Sequence, residues 1–302
     1  MEDKPRSKPP RRAAKPFVRE VKAPEPAPAP SPERPRRPED QRHCGISGVA
    51  ALFARRPEAV HRLLYTEARK IEVGPWCKLL AANKKPYRLL AEDELASVAG
   101  TTHHGGIVAV AEPLRVAAFS PGTIAADAGP DAPPVLVLDG VANPQNLGAI
   151  ARTAAYLGLR HLVLSTDPRQ AYPSDAAIRV AEGALEHLSL WRARDLPAAL
   201  AALGRHFATL AVAPGPDGIA PDAVPRGRPV AIVLGNEADG LSAATLAATA
   251  HVVRIPGANI IQSLNVGAAA AILAWQFRAG VPATLPRGPE EASLQPQDVL
   301  QP

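Results

Sequence analysis

From residue 135 onward the chain alternates short apolar runs with stretches of helical spacing. The runs lie at 135–139, 161–165, 187–191, 207–212, 229–234 and 251–255, and are built mainly of Val, Leu, Ile and Ala. Uninterrupted runs of this length fit strands buried on both faces of a parallel sheet. Between them the sequence predicts helices from about 146 to 158 and over 174–184, 196–203 and 243–249, with a last one over 263–278. That last helix is nearly all small and apolar, with no charge before Arg278, so it is expected to be buried on most of its surface. The alternation predicts an α/β domain over 134–281, a mostly parallel sheet with helices on both faces. In such sheets ligands bind outside the carboxyl ends of the strands.

Residues 43–116 read as a smaller α/β domain. Helical spacing marks 45–55, with Val49, Leu52 and Phe53 on its apolar face, then 74–83 and a short acidic-started stretch from Asp93. Strands are expected at 60–65, 87–90 and 107–111. The segment 117–133 is rich in Gly, Pro, Ala and Asp and reads as a linker. Residues 1–42 hold 11 of the 34 prolines and read as a mobile, extended tail, as does 282–302.

Charge and composition narrow the classes. The tail of 1–42 carries 12 Lys and Arg against 7 Asp and Glu, a surplus of 5 that equals the net charge of the whole chain. Its Arg11-Arg12 pair and the cluster from Arg34 to Arg37 suit loose, salt-sensitive phosphate contact or plain solubility. Basic residues such as Arg62, Lys78 and Arg88 outnumber acids in 43–116, which suits RNA contact as well as a solvated face. Hydrophobic residues make up 46% of the chain but aromatics only 4%, so the core must be rich in Ala, Val and Leu. Cys44 and Cys77 fit no disulfide or metal pattern and suit a reducing cytoplasm. No stretch has the apolar length of a membrane span or the form of a signal peptide, so a cytoplasmic protein is expected, away from membranes. His103-His104 has no Cys, Asp or Glu partner in ligand spacing; it reads as a turn with exposed imidazoles, and no metal site is expected.

Polar chemistry gathers after three of the apolar runs. The first place has Asn146 and, six residues on, Arg152. The second is the loop Gly235-Asn236-Glu237 with Gly240, where Gly235 would allow close approach of a ligand to the backbone. The third has Ser263, placed to cap the last helix, and Asn265. Taken singly, the third favours the plain reading of a cap, Ser263, plus one buried amide, and Glu237 reads as a helix or turn cap as well. There is no G-x-G-x-x-G after the first run and no P-loop, which leaves a dinucleotide oxidoreductase without its fingerprint.

Together the three stretches resemble the SpoU-type RNA ribose 2′-O-methyltransferases of the SPOUT class. They are Asn143-Pro-Gln-Asn-Leu-Gly-Ala-Ile-Ala-Arg-Thr153, Val233-Leu-Gly-Asn-Glu-Ala-Asp-Gly-Leu-Ser242 and Ile255-Pro-Gly-Ala-Asn-Ile-Ile-Gln-Ser-Leu-Asn-Val266. Order and spacing of all three agree, over roughly residues 135–280. Residues 43–116 resemble, more loosely, the substrate-binding domain that precedes the methyltransferase domain in several of these enzymes. The third stretch departs from the family in having Gly257 after the proline, where a longer side chain is common.

The resemblance implies a deep trefoil knot at the C-terminal end of the sheet, a homodimer and S-adenosylmethionine as cofactor. It implies a cofactor pocket made by Ala213, by Leu234, Gly235, Asn236 and Gly240, and by Ile255, Pro256, Ser263 and Leu264. It implies catalytic roles for Arg152, Asn146, Glu237, Ser263 and Asn265. A guanidinium stays protonated in proteins, so Arg152 is better suited to hold a phosphate and stabilise a developing alkoxide than to act as a base. Ribosomal RNA is the substrate expected first, with tRNA as the alternative. A non-catalytic RNA-binding or ribosome-assembly factor on the same fold is the reading from another class.

Overall fold

A mixed four-stranded sheet comes first among the described residues of the computed structural model, which are 40–278 apart from 130, 216, 217 and 259. Its elements are β1 (Gln41–Cys44), α1 (Ile46–Arg55), β2 (Val60–Tyr65), α2 (Gly74–Ala82), β3 (Tyr87–Leu89), α3 (Glu92–Ala99) and β4 (Ile107–Ala111). The strands lie in the order β1-β4-β2-β3, with β4 antiparallel to β1 and β2, and β3 parallel to β2. As its spacing predicts, α1 buries Val49, Leu52 and Phe53, and Phe53 stacks on Trp76 at 5.1 Å. The three positions fall within about one and a half turns and so share a face.

Two expectations for this half need correction. Gln41 and Arg42, placed in the tail by composition, are strand residues. Their polarity has a structural use. The Gln41 amide donates to Pro173 O at 2.8 Å, and the Arg42 N–H donates to Asp175 Oδ1 at 3.0 Å, both in the second sheet's domain. A search for apolar runs cannot see such a strand. Of His103-His104, only His103 is exposed; His104 is buried, and its Nδ1 accepts from the Gly106 N–H at 3.1 Å. Among the described residues no group of three or more His, Cys, Asp or Glu is placed to hold a metal ion.

The second sheet has seven strands, all parallel. Its elements are β5 (Val116–Ala118), α4 (Pro121–Ala126), β6 (Val135–Asp139), α5 (Pro144–Tyr156), β7 (His161–Ser165), α6 (Asp175–Ala181), β8 (Ser189–Ala193), α7 (Leu196–Leu203), β9 (Ala208–Val212), β10 (Val230–Gly235), α8 (Ala243–Ala247), β11 (His251–Val253) and α9 (Val266–Phe277). The order is β11-β9-β10-β6-β7-β8-β5. The stretch read as a linker, 117–133, is therefore folded in part: β5 pairs with β8 at the sheet edge, and α4 follows. A three-residue edge strand carries too little pattern to be read from sequence.

Alternate residues of β6 enter different cores, which is why its run is apolar throughout. Leu136 and Leu138 pack with α5, α6 and α9 on one face, while Val135 and Val137 pack with α4 and α7 on the other. The helix after β6 starts at Pro144, two residues before Asn146. Pro at the first helical position sacrifices no hydrogen bond, and Asn143 caps the helix by accepting the Gln145 N–H at 2.8 Å. The last helix begins at Val266, capped by Asn265 and not by Ser263. Among the described residues no helix is long and apolar enough to cross a membrane.

Candidate active site

Because every strand of the large sheet runs the same way, the residues after β6, β9, β10 and β11 emerge along one edge. β6 and β10 are neighbours, yet the chain leaves β6 toward β7 and leaves β10 toward β11, in opposite directions across the sheet. That is a topological switch point, where an open α/β sheet leaves a crevice. Asn146 follows β6 and Glu237 follows β10, so the two flank that crevice.

Three side chains meet there, from the first turn of α5, the loop after β10 and the cap of α9. The Asn146 amide donates to Glu237 Oε1 at 2.8 Å, and its Oδ1 accepts from the Asn265 amide at 3.1 Å. Glu237 also accepts the backbone N–H groups of Ala142 at 3.0 Å and Asn143 at 3.3 Å, at the start of α5. Asn265 Oδ1 in turn accepts from the Gly267 N–H at 2.8 Å, which fixes the start of α9. An ionised carboxylate can only accept, so Glu237 forces the amide nitrogen of Asn146 toward itself and the amide oxygen toward Asn265. Burial pushes the Glu237 carboxyl up, but the N–H of Ala142, the Asn146 amide and the N–H of Asn143 outweigh it and hold the group below its ordinary 4.5.

The loop from Asn236 to Gly240 is built by its own sequence. Asn236 is buried; its amide donates to Gly140 O at 2.7 Å, and its Oδ1 accepts from the Ala238 and Asp239 N–H groups at 2.9 and 3.2 Å. The backbones of Asn236 and Gly240 bond each other, and Gly240 has φ +71°, so the chain turns back on itself. A Cβ on Gly235 would lie 2.5 Å from the Gly240 carbonyl carbon. Gly235 is thus required by this turn-back, a constraint from within the chain where the sequence suggested room for a ligand.

The other residues implied as cofactor contacts lie along the same edge. Ala213 donates its N–H to Val253 O at 3.2 Å, tying the end of β9 to β11. Leu234 is buried in the core and offers only its backbone to the edge. Ile255 is partly buried against that core, while Pro256, Ser263 and Leu264 are exposed in the loop before α9. Ser263 has moved from the expected cap to this loop because Asn265, two residues nearer the first turn, takes the free N–H groups.

Arg152 is not on this chain of bonds. Six residues along a helix turn about 240° and rise about 9 Å, so it faces away from Asn146. Its Nη1 lies 2.9 Å from Glu182 Oε1. It lines an open groove of about 390 Å³ together with Thr153, Tyr156, Leu157, Ala271 and Trp275. Tyr156 is 79% and Trp275 56% exposed, large apolar surfaces for a single chain to leave uncovered.

Sequence reasoning missed the support beneath the crevice. Gln170 is buried; its Oε1 accepts the N–H groups of Gly140 and Val141 at 2.9 and 3.2 Å, and so holds the turn that leads into α5. Arg169 bonds Asp167 and Asp239, joining the loop after β7 to the Glu237 loop. Nothing in the local spacing of these residues signals partners so far along the chain.

Residues 133–275 match the model of the SpoU rRNA methylase family, and residues 44–117 match that of the RNA 2′-O-ribose methyltransferase substrate-binding domain. A 23S rRNA (guanosine-2′-O-)-methyltransferase, RlmB, of Ralstonia nicotianae is 32% identical over 77% of this chain and 92% of its own. A Haemophilus influenzae protein described as an uncharacterised tRNA/rRNA methyltransferase is 36% identical over 54% of this chain, but the match spans only 45% of that relative's length. Among solved structures, an RNA 2′-O-ribose methyltransferase is 26% identical, with a TM-score of 0.60 over 79% of this chain and 87% of its own. An S-adenosylmethionine-bound rRNA methyltransferase from Sinorhizobium meliloti shares the fold at a TM-score of 0.63 and 20% identity, over 80% of this chain and 87% of its own. The chain belongs to the SpoU family of RNA ribose 2′-O-methyltransferases. S-adenosylmethionine is the methyl donor of that family.

Proposed function

We propose that this protein transfers a methyl group from S-adenosylmethionine to a ribose 2′-hydroxyl of ribosomal RNA, at the crevice between β6 and β10. The observation that carries the reading is the hydrogen-bonded run Asn265–Asn146–Glu237, which joins all three family stretches in one place. The rRNA activity in the names of several relatives supports the choice of substrate over tRNA. Residues 44–117 would present the RNA, and the basic residues upstream of residue 42 would add loose phosphate contact.

The cofactor would sit against Ala213, the turn from Leu234 to Gly240, and the loop holding Ile255, Pro256, Ser263 and Leu264. These segments offer backbone polar groups and apolar side chains, a set suited to a flat, neutral adenine and a thioether chain. When bound, S-adenosylmethionine supplies an electrophilic methyl group. The chain's own part is to place the 2′-hydroxyl in line and to ease the loss of its proton. Asn146 and Asn265, their amides fixed by Glu237, orient the ribose, with Ser263 beside them. Arg152, which faces away from Asn146 in its own chain, would serve the crevice of a second copy, where its guanidinium fork holds the neighbouring phosphate and offsets charge as the alkoxide develops.

The chain works as a homodimer in this proposal. The face of α9 that carries Ile272 and Trp275, with Tyr156 of α5 beside it, would be covered by a second copy, which brings Arg152 to the interface. The family's trefoil knot would form where the chain returns after β9. Its support is the pairing of Ile219 with Val253, with Arg254 N–H donating to Ile219 O at 2.9 Å. A cytoplasmic location follows from the substrate.

Calorimetric titration with S-adenosylmethionine, and with NAD as a control, tests the cofactor assignment. Saturable binding of the first alone is expected, weakened when Gly235→Ala disturbs the turn. Binding of neither would remove the enzyme reading and leave an assembly factor on the same fold.

A further inference from the structure

The turn between α6 and β8 touches both the candidate catalytic arginine and the substrate-binding domain. Glu182 ends α6 in the left-handed region, φ +47°, which a side chain bearing a Cβ adopts at a cost. Its carboxylate pairs with Arg152 at 2.9 Å, and Arg152 has no other ion-pair or hydrogen-bond partner among the described residues. Gly183, next in the chain, is also left-handed at φ +91°. It lies so close to α1 that a Cβ would meet Ala51 Cβ at 2.6 Å and Ser47 O at 2.9 Å. Three residues on, the buried carboxylate of Glu186 takes a two-point bond from Arg56, at the end of α1, with distances of 2.7 and 2.8 Å. The backbone of this turn is thus set by the docked substrate-binding domain, and its half-exposed Glu182 side chain pairs with Arg152.

We propose that Glu182 is a positioning residue for Arg152, and that the turn from Glu182 to Glu186 passes the docking of the substrate-binding domain to it. The proposal rests on the role given to Arg152 above. A flexible arginine half exposed to water samples many rotamers, and one anchored carboxylate narrows them. A left-handed Glu backed by a glycine with no room to move fixes the direction in which the Glu182 side chain leaves the backbone. Loosening the contact of Gly183 with α1 would let the carboxylate wander, and Arg152 with it.

Two readouts test this. In the first, the Arg152 Nε–H signal is followed by ¹⁵N NMR of the full chain, assigned by its loss in Arg152→Lys. A shift or broadening in both Glu182→Gln and Gly183→Ala is expected. A change in Glu182→Gln alone would overturn the coupling, and no change in Glu182→Gln would overturn the pairing itself. Should Gly183→Ala fail to fold, Arg56→Lys, which keeps the charge but loses the two-point geometry, replaces it with the same expectation. The second readout is methyl transfer: Glu182→Gln should lower kcat about fivefold, with KM for S-adenosylmethionine unchanged. An unchanged kcat, against a wild type that transfers methyl, would overturn the positioning role and leave the methyltransferase reading intact. A wild type that transfers no methyl to RNA would instead remove that reading, and with it the role given to Glu182.

Discussion

Glu237 accepts four groups' worth of order with one carboxylate: two backbone N–H groups, one amide and, through that amide, Asn265. Replacing it by Gln keeps the shape but puts a donor at one of the two oxygens, facing either the Ala142 N–H or the Asn143 N–H and the Asn146 amide, which need an acceptor. Glu237→Gln should lower methyl transfer by about tenfold to a hundredfold at saturating cofactor, read as an initial rate. The sign of its pH dependence follows from the lowered carboxyl. The folded state favours the ionised form, so the stabilisation is complete above the ordinary value of 4.5 and fades as pH falls below it. The melting-temperature difference between wild type and Glu237→Gln should therefore shrink as pH drops through 4.5.

His43 gives a second test at this scale, with its own sign. The side chain is buried, and neither ring nitrogen has a hydrogen-bond partner among the described residues. Burial, the largest influence, lowers its pKa from 6.5 to about 4; Glu186 and Asp175 oppose this and Arg56 adds to it. Between those two values the unfolded chain binds a proton that the folded chain refuses, so stability falls as pH falls. The full contribution is present above pH 6.5, and about 3 kcal/mol is lost on reaching pH 4. Denaturant unfolding across that window should show His43→Leu losing less than wild type. Of the site, the sequence made the three polar loops legible because their motifs are local. It could not show Arg152 turning toward Glu182, nor Asn236 spending its whole side chain on its own loop, since both depend on distant backbone.

At the scale of elements, α5 is the part on which most depends. It carries Asn146 and Arg152, packs on α6 and α9, and starts on the Glu237 carboxylate. Gly148 lets α6 come close: a Cβ there would meet Ala177 O at 2.5 Å and Val180 Cβ at 2.8 Å. Gly148→Ala should destabilise the protein by about 1–3 kcal/mol, because the neighbour is helix backbone and cannot step aside cheaply. Asn265→Ala removes the cap of α9 and should cost about 1 kcal/mol, while also freeing Asn146 to rotate. Both are measured by denaturant midpoint. Elements with strong apolar period, β6, β7, β10 and α7, were legible before the structure, to within a residue or two at their ends. β1 and β5 were not. The first is polar because it serves the joint between the two domains, and the second is three residues at a sheet edge. In both cases tertiary contact decides what local pattern leaves open.

At the scale of the molecule, the two α/β parts meet through fixed polar bonds. The Arg56–Glu186 pair, Arg42 with Asp175, and Gln41 with Pro173 hold the substrate-binding part onto α6 and the turn after it. A second copy covering Tyr156, Ile272 and Trp275 would complete the apolar surface that one chain leaves open. Trp275→Glu should then shift sedimentation toward the monomer. The 2′-O-methyltransferase activity is measured by methyl transfer from radiolabelled S-adenosylmethionine to ribosomal RNA and to bulk tRNA, separately, with Arg152→Ala alongside. Label is expected in ribosomal RNA, at a linkage that resists alkaline hydrolysis because its 2′-oxygen is methylated, and none with the variant. Label in tRNA alone would keep the chemistry and replace the substrate; no label in either RNA, with no cofactor bound, would rule out a methyltransferase.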